Sequence, residues 1–255
     1  MSVSFDFLGK SVLVTGASSG IGFGVAQGFA KAGADLTILS STDAVFDAAK
    51  KLPGEVKAIK CDISDASMVS ESLKKVEKLD VLVNNAGFER PTPLTGEHSD
   101  GNATFERIVA INITGTQNVT DALVNRITEG GRIIITSSIW ARTAVPGFSA
   151  YVASKHANVG LMRTWAKELG PRGICVNAVC PGWVKTEPAM NSLKKLAEES
   201  GQSEQELEAE IIAAQSLGGL MEPADIADLY LFLASSGGAN ITGQAINIDR
   251  GEVMS

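Results

Sequence analysis

The chain has 255 residues, 44% of them hydrophobic and 20% charged, which is enough apolar sequence to build one substantial core. A formal charge of −7 argues against a nucleic-acid or anionic-membrane surface as the main partner and points to a small molecule instead. No apolar stretch approaches the length needed to span a bilayer. Cys61, Cys175 and Cys180 are an odd set without metal-type spacing, and no leader pattern precedes the first apolar run, so a reduced, cytoplasmic protein is expected.

In chain order, short Val/Ile/Leu-rich runs alternate with longer helical patterns. The first run, "SVLVTG", is followed by a helix over 20–32, then "DLTILS" by a helix over 43–52, and "VKAIKCD" by one over 65–77. "LDVLVNNAG" then leads into a long helix over 102–128, and "GRIIITSS" into one over 149–169. "GICVNAVCPG", an insertion, a helix over 223–235 and "GQAINID" complete the chain. Nearly all the strand candidates lack polar alternation, as strands covered on both faces do. This pattern predicts an α/β fold: a single doubly wound Rossmann-type parallel sheet of about seven strands, helices on both faces, in one domain. Cys175 and Cys180 fall on opposite faces of one strand, which suits structural burial rather than a shared ligand.

The stretch "TGASSGIG" (15–22) sits where the first strand hands over to the first helix. Glycine there permits a tight turn and lets backbone N–H groups approach a pyrophosphate, to which the helix N-terminus adds partial positive charge. Gly16, Gly20 and Gly22 are spaced G-x-x-x-G-x-G, a pattern that helix–strand packing alone can also produce. Further along, Tyr151 and Lys155 are four residues apart on one helix face, and Ser138 stands thirteen positions before Tyr151, at the end of a buried strand. A phenol with a pKa near 10 is a poor proton-transfer group at neutral pH, but a nearby ammonium favours the phenolate. Bringing it to neutrality requires about 4 kcal/mol, which a lysine, further positive charge and a dry pocket can supply together.

Taken together, "TGASSGIG", "NNAG" (84–87), "IN" (111–112), "SS" (137–138), "YVASK" (151–155) and "CPGWVKT" (180–186) resemble the short-chain dehydrogenase/reductase family. The resemblance runs from about residue 8 to the "INIDRG" near the end of the chain. It implies reversible hydride transfer between a nicotinamide cofactor and a secondary alcohol or ketone. Tyr151 matches the proton donor and acceptor, and Lys155 the group that holds the nicotinamide ribose and depresses the tyrosine pKa. Ser138 matches the residue that orients the substrate oxygen, and Asn112 the one that links Lys155 to a proton path. For the cofactor, the resemblance implies Gly16, Ser18, Ser19, Gly20, Ile21 and Gly22 at the first turn, Asp62 and Ile63 at the adenine, and Asn85, Ala86 and Gly87 on the adenosine side. It likewise implies Tyr151, Lys155, Pro181, Gly182, Val184 and Thr186 on the nicotinamide side.

NADP and NAD both stand as cofactors, with a lean to NADP. The second strand ends with Ser40 where an NAD-selecting aspartate is usual, and Ser40, Ser41 and Thr42 offer hydroxyls for a 2′-phosphate, although no Arg or Lys stands beside them. The insertion, about 186–220, is expected to be a substrate lid with Met190, Leu193, Leu207 and Ile211 as its apolar face and its glutamates outward. Its length and "CPGWV" are similar to 3-hydroxybutyrate dehydrogenases within the family, but here Trp140 replaces a histidine and Glu89 follows "NNAGF". A carboxylate repels a small anionic acid and accepts bonds from hydroxyls, so a sugar, polyol or other small polar hydroxy compound is expected.

Against that, Arg90 and Arg142 can clamp an acidic group, and Trp140 is either a stacking wall or core. The alternatives are a 3-oxoacyl thioester reductase, a hydroxy-acid dehydrogenase and, of another class, a nucleotide-sensing protein without catalysis. His98 and His156 are given no role, and no metal site is expected. The resemblance also implies a homotetramer built on the helices at 102–128 and 149–169, with Arg250 standing where a second glycine is common.

Overall fold

The computed structural model describes residues 3–95 and 101–254, apart from the side chains of 101–103 and 199. The apolar runs become seven parallel strands: β1 (Ser11–Thr15), β2 (Asp35–Ser40), β3 (Val56–Lys60), β4 (Leu79–Asn84), β5 (Ile127–Thr136), β6 (Cys175–Pro181) and β7 (Ala245–Ile248). Their order across the sheet is β3-β2-β1-β4-β5-β6-β7. Val12 pairs with Leu36 on one side and Val81 on the other, and Ile134 with Val83 and Asn177, which fixes the central register.

Period-2 alternation divides the strand residues between two apolar layers. Val12, Val14, Ile38, Val83, Ile134 and Val179 face a layer with Phe29 and Tyr230. Leu13, Leu39, Leu82, Ile133, Ile135 and Ala178 face the other, with Leu123, Met162 and Trp165. Each fully buried side chain of this kind contributes about 1.5–3 kcal/mol, so both faces of the sheet are held by their helices.

The helices are α1 (Gly20–Lys31), α2 (Ala44–Lys51), α3 (Ala66–Ser72), α4 (Gly101–Val109), α5 (Thr116–Leu123), α6 (Ser149–Leu169), α7 (Glu187–Ser200), α8 (Glu204–Ala213) and α9 (Ala227–Ala234). Several boundaries differ from the sequence reading, each for a local reason. The predicted helix over 65–77 stops at Ser72, where the carbonyls of Leu73 and Val76 turn to the Arg126 guanidinium. The predicted helix over 102–128 is interrupted by a π-helical segment, Ala110–Gly115, and ends in a 3-10 turn, Val124–Arg126. Strand β5 starts at Ile127, four residues before the predicted run, and a register shift against β4 absorbs the polar "TEGG". The last predicted helix begins late, because Asp225 accepts from the Glu222 N–H at 2.8 Å and closes a turn before α9.

Between β6 and α9 the chain makes an excursion of two helices, α7 and α8. Thr186 caps α7, Gly201 ends it with φ +72°, and Ser203 and Glu206 form a reciprocal capping box at the start of α8. Leu193 and Ala197 of α7 are buried, while Met190, Leu207 and Ile211 are partly buried. No helix among the described residues is long and apolar enough to cross a membrane. The three cysteines are buried and unpaired.

Candidate active site

In a doubly wound sheet the crevice forms beyond the carboxyl ends of the strands where the order reverses, here between β1 and β4. The turn after β1 is shaped by what cannot fit there. A Cβ on Gly16, whose φ is +65°, would lie 2.6 Å from the Ala86 Cα, and one on Gly22 would lie 2.3 Å from the Gly16 carbonyl oxygen. Thr15 Oγ1 accepts from the N–H groups of Asn85 and Ala86, both at 3.0 Å, while Asn85 Nδ2 donates to the carbonyls of Thr15 and Gly16. The glycine turn and the end of β4 therefore form one rigid unit. Ser19 precedes α1 in extended conformation with its hydroxyl unspent on the helix, leaving the helix N-terminus open to an anionic group.

Two cavities, of about 380 and 350 Å³, share Gly16, Ser19, Ala86, Gly87 and Phe88 and so form one cleft. The smaller is lined by Ser18, Ser40, Ser41, Asp62 and Ile63, as the sequence suggested, and by Arg107. Ser18 Oγ and Ser40 Oγ are 3.0 Å apart. Burial pushes the Asp62 carboxyl up, but hydrogen bonds from Arg107 and Ser64 outweigh it and hold the group below its ordinary value. Arg107 was missed: it comes from α4, forty-five positions after Asp62, and no local spacing joins the two.

The larger cavity collects Gly20, Ile21, Gly22, Asn85, Ser138, Trp140, Tyr151, Lys155, Pro181, Gly182, Val184 and Thr186, with Glu89 and Arg90 on one wall. Ser138 lies two residues beyond the end of β5 and caps the short turn Ile139–Ala141, its Oγ accepting from the Trp140 N–H at 3.2 Å, with its hydroxyl placed where it favours ionisation of the Tyr151 phenol. Lys155 is buried one turn along α6, with Nζ donating to the Thr136 carbonyl at 2.9 Å and lying 5.3 Å from the Tyr151 ring centroid. Asn112 sits in the π-helical segment, where such distortions often mark functional positions. Its Oδ1 accepts from the Phe88 N–H at 2.7 Å, and its Nδ2 donates to the Phe88 carbonyl and to Ser154 Oγ. Asn112 thus ties the loop that carries Glu89 to the helix that carries Tyr151 and Lys155.

Burial dominates the electrostatics of the pair. Burial, with Glu89 and Tyr230 adding to it, pushes the Tyr151 phenol above its ordinary value, and the Ser138 hydrogen bond only partly opposes this. Burial pulls Lys155 down to about 8, with Cys180 and Glu89 acting the other way. The Lys155 ammonium is held by its hydrogen bond to the Thr136 carbonyl, 5.3 Å from the Tyr151 ring centroid. Burial likewise raises the Glu89 carboxyl, against a hydrogen bond from Ser192 and the charges of Lys155 and Arg90.

The arginine clamp is a correction to the sequence reading. Arg90 is exposed over the Phe88 ring at the cleft, whereas Arg142 donates to the Ala245 carbonyl on β7 and is absent from the cleft lining. Trp140 packs edge-on to Tyr151, with centroids 5.8 Å apart, and to Trp183 at 6.4 Å, so it is cleft wall and packing at once. Trp183 and Ser192 also line the cleft and were not singled out in the sequence. His156 is exposed, its ring nitrogen 2.9 Å from the Val152 carbonyl, and His98 lies outside the described residues. Among the described residues no cluster of His, Cys, Asp and Glu can hold a metal ion.

Comparison with known proteins agrees with this architecture. A family model described as enoyl-(acyl carrier protein) reductase matches residues 16–252. Among curated relatives, 3-oxoacyl-(acyl-carrier-protein) reductase FabG of Thermotoga maritima is 34% identical, covering 96% of this chain and 98% of its own. Oxidoreductase UcpA of Salmonella typhimurium is 36% identical over 96% of this chain and 95% of its own. Among solved structures, a short-chain dehydrogenase/reductase of the glucose/ribitol dehydrogenase type from Brucella melitensis superposes with a TM-score of 0.88 at 26% identity, over 99% of this chain and 100% of its own. A short-chain dehydrogenase from Burkholderia cenocepacia, solved with NADP, gives 0.83 at 30% identity, over 96% of this chain and 98% of its own. The chain belongs to the short-chain dehydrogenase/reductase family and is an oxidoreductase of that class.

Proposed function

We propose that the protein transfers a hydride between NAD(P)(H) and a secondary alcohol or ketone, with a small polar hydroxy compound such as a sugar or polyol as substrate. The observation that carries this reading is the meeting of Ser138, Tyr151 and Lys155 in one cleft with the glycine turn after β1. The cleft suits a dinucleotide: Gly16 and Gly22 let the turn pack closely on Ala86, Asn85 and its own backbone, and Ser19 and the start of α1 offer donors to a pyrophosphate. When bound, the oxidised nicotinamide supplies the hydride acceptor and a positive charge.

Ser138 holds the substrate oxygen beside Tyr151, which as the phenolate takes the hydroxyl proton in oxidation and as the phenol returns it in reduction. Lys155, fixed by Thr136, would hold the cofactor ribose, and its charge together with that of the oxidised nicotinamide would offset the burial that otherwise keeps the phenol protonated. Asn112 is a positioning residue, acting through the Phe88 loop and Ser154. We assign NADP as the preferred cofactor: β2 ends without a carboxylate, and Ser18, Ser40 and Ser41 offer hydroxyls in a cavity that Arg107 also lines.

The excursion over 186–220 serves as the substrate lid on a single cofactor-binding domain, and a cytoplasmic setting fits the unpaired thiols. The chain is read as a homotetramer without nucleic-acid or membrane partners. A second reading, reduction of a 3-oxoacyl thioester, draws support from the name of the Thermotoga relative and from the exposed Arg90 guanidinium at the cleft. Initial rates of reduced-nicotinamide formation or loss, with NAD and NADP each tested against sugars, polyols, hydroxy acids and 3-oxoacyl thioesters, separate these readings. Turnover of neutral polyols with NADP is expected. Rates confined to acids or thioesters would overturn the substrate assignment.

A further inference from the structure

Glu89 Oε1 accepts a hydrogen bond from Ser192 Oγ at 2.8 Å, joining the loop after β4 to α7 of the excursion across 103 positions of sequence. Both residues line the larger cavity, together with Ser138, Tyr151 and Trp140. The contact demonstrates that this carboxylate takes a hydroxyl donor inside the cleft. Ionised carboxylates accept up to about four such bonds, and Ser192 fills one site. The charge of Glu89 is also felt at both the Tyr151 phenol and the Lys155 ammonium, so the carboxylate is electrostatically coupled to the proton-transfer pair.

Resting on the hydride-transfer reading above, we propose that Glu89 is a specificity-determining residue for a second hydroxyl beside the reacting carbinol, and that this hydroxyl replaces Ser192 on the carboxylate. The substrate class is therefore a vicinal diol or its α-hydroxyketone, and Ser192 Oγ is the resident stand-in for the second hydroxyl. The exchange conserves the hydrogen bond to the carboxylate, whereas an alcohol with a methyl in place of that hydroxyl leaves Ser192 bonded or strands a desolvated charge. A neighbouring carboxylate on the substrate meets like charge in the same place.

The test compares two alcohols of the same size, propane-1,2-diol and butan-2-ol, in the intact enzyme with saturating cofactor. Wild-type kcat/KM is expected to favour the diol at least about tenfold. Glu89→Gln is expected to bring that ratio toward one, and Ser192→Ala to lower KM for the diol more than for butan-2-ol, because the carboxylate then has no resident donor. Equal kcat/KM for the two alcohols in the wild type, or equal shifts of both KM values in Ser192→Ala, would overturn the inference while leaving the hydride-transfer reading intact. Turnover of neither alcohol, with nucleotide binding retained by fluorescence titration, would overturn the substrate reading and this inference with it.

Discussion

Tyr151 and Lys155 illustrate how far residue-level reasoning carries. Their four-residue spacing, and Ser138 at a strand end, are legible because helix geometry puts i and i+4 on one face and α/β topology puts strand ends in the crevice. Their ionisation is not legible, since it depends on burial that only the packed fold creates. Lys155, held at about 8 by burial, loses its ammonium as pH rises through that value. Cofactor affinity, read by fluorescence titration of the reduced nicotinamide, should therefore be weaker at pH 9 than at pH 7. Lys155→Ala should bind more weakly at both and show no such slope. An unchanged wild-type affinity across this range would separate Lys155 from the ribose contact. Glu89 and Ser192 show the other limit, because a hydrogen bond across 103 positions has no signature in either local stretch.

Among the elements, the β1–α1 turn is the most constrained. Gly16→Ala places a Cβ 2.6 Å from backbone and forces an alanine to φ +65°, two costs that together reach at least about 2 kcal/mol. In a chain of 255 residues the loss should appear as a melting temperature lower by several degrees, with weakened nucleotide binding. A variant that melts and binds like the wild type would contradict the turn geometry. Hydrophobic periodicity found the helices but not the π-helical segment at Ala110–Gly115, because one widened turn leaves the apolar pattern nearly unchanged. The early start of β5 was hidden for a related reason: "TEGG" is polar and glycine-rich, and it belongs to the strand only as the irregular stretch between Ile127, which pairs with Leu79, and Arg132, which pairs with Val81.

At the scale of the whole molecule, the doubly wound sheet was legible because seven apolar runs separated by amphipathic helices leave little other way to cover both faces of the strands. The cleft lining was legible at Ser138, Tyr151, Lys155 and the glycine turn and not at Arg107, Trp183 or Ser192, which reach the cleft only through tertiary packing. Assembly is the property with least signal in one chain. Sedimentation at micromolar concentration is expected to give a species four times the 26.6 kDa chain mass, and a monomer-sized species would contradict the homotetramer. The most direct test of the account as a whole is the turnover of Tyr151→Phe with the best substrate from the panel, measured beside its nucleotide affinity. The account predicts a rate reduced at least about a thousandfold with nucleotide binding kept within a few fold of wild type. A variant that turns over as fast as wild type would contradict proton transfer by Tyr151, and with it the chemistry assigned to the cleft.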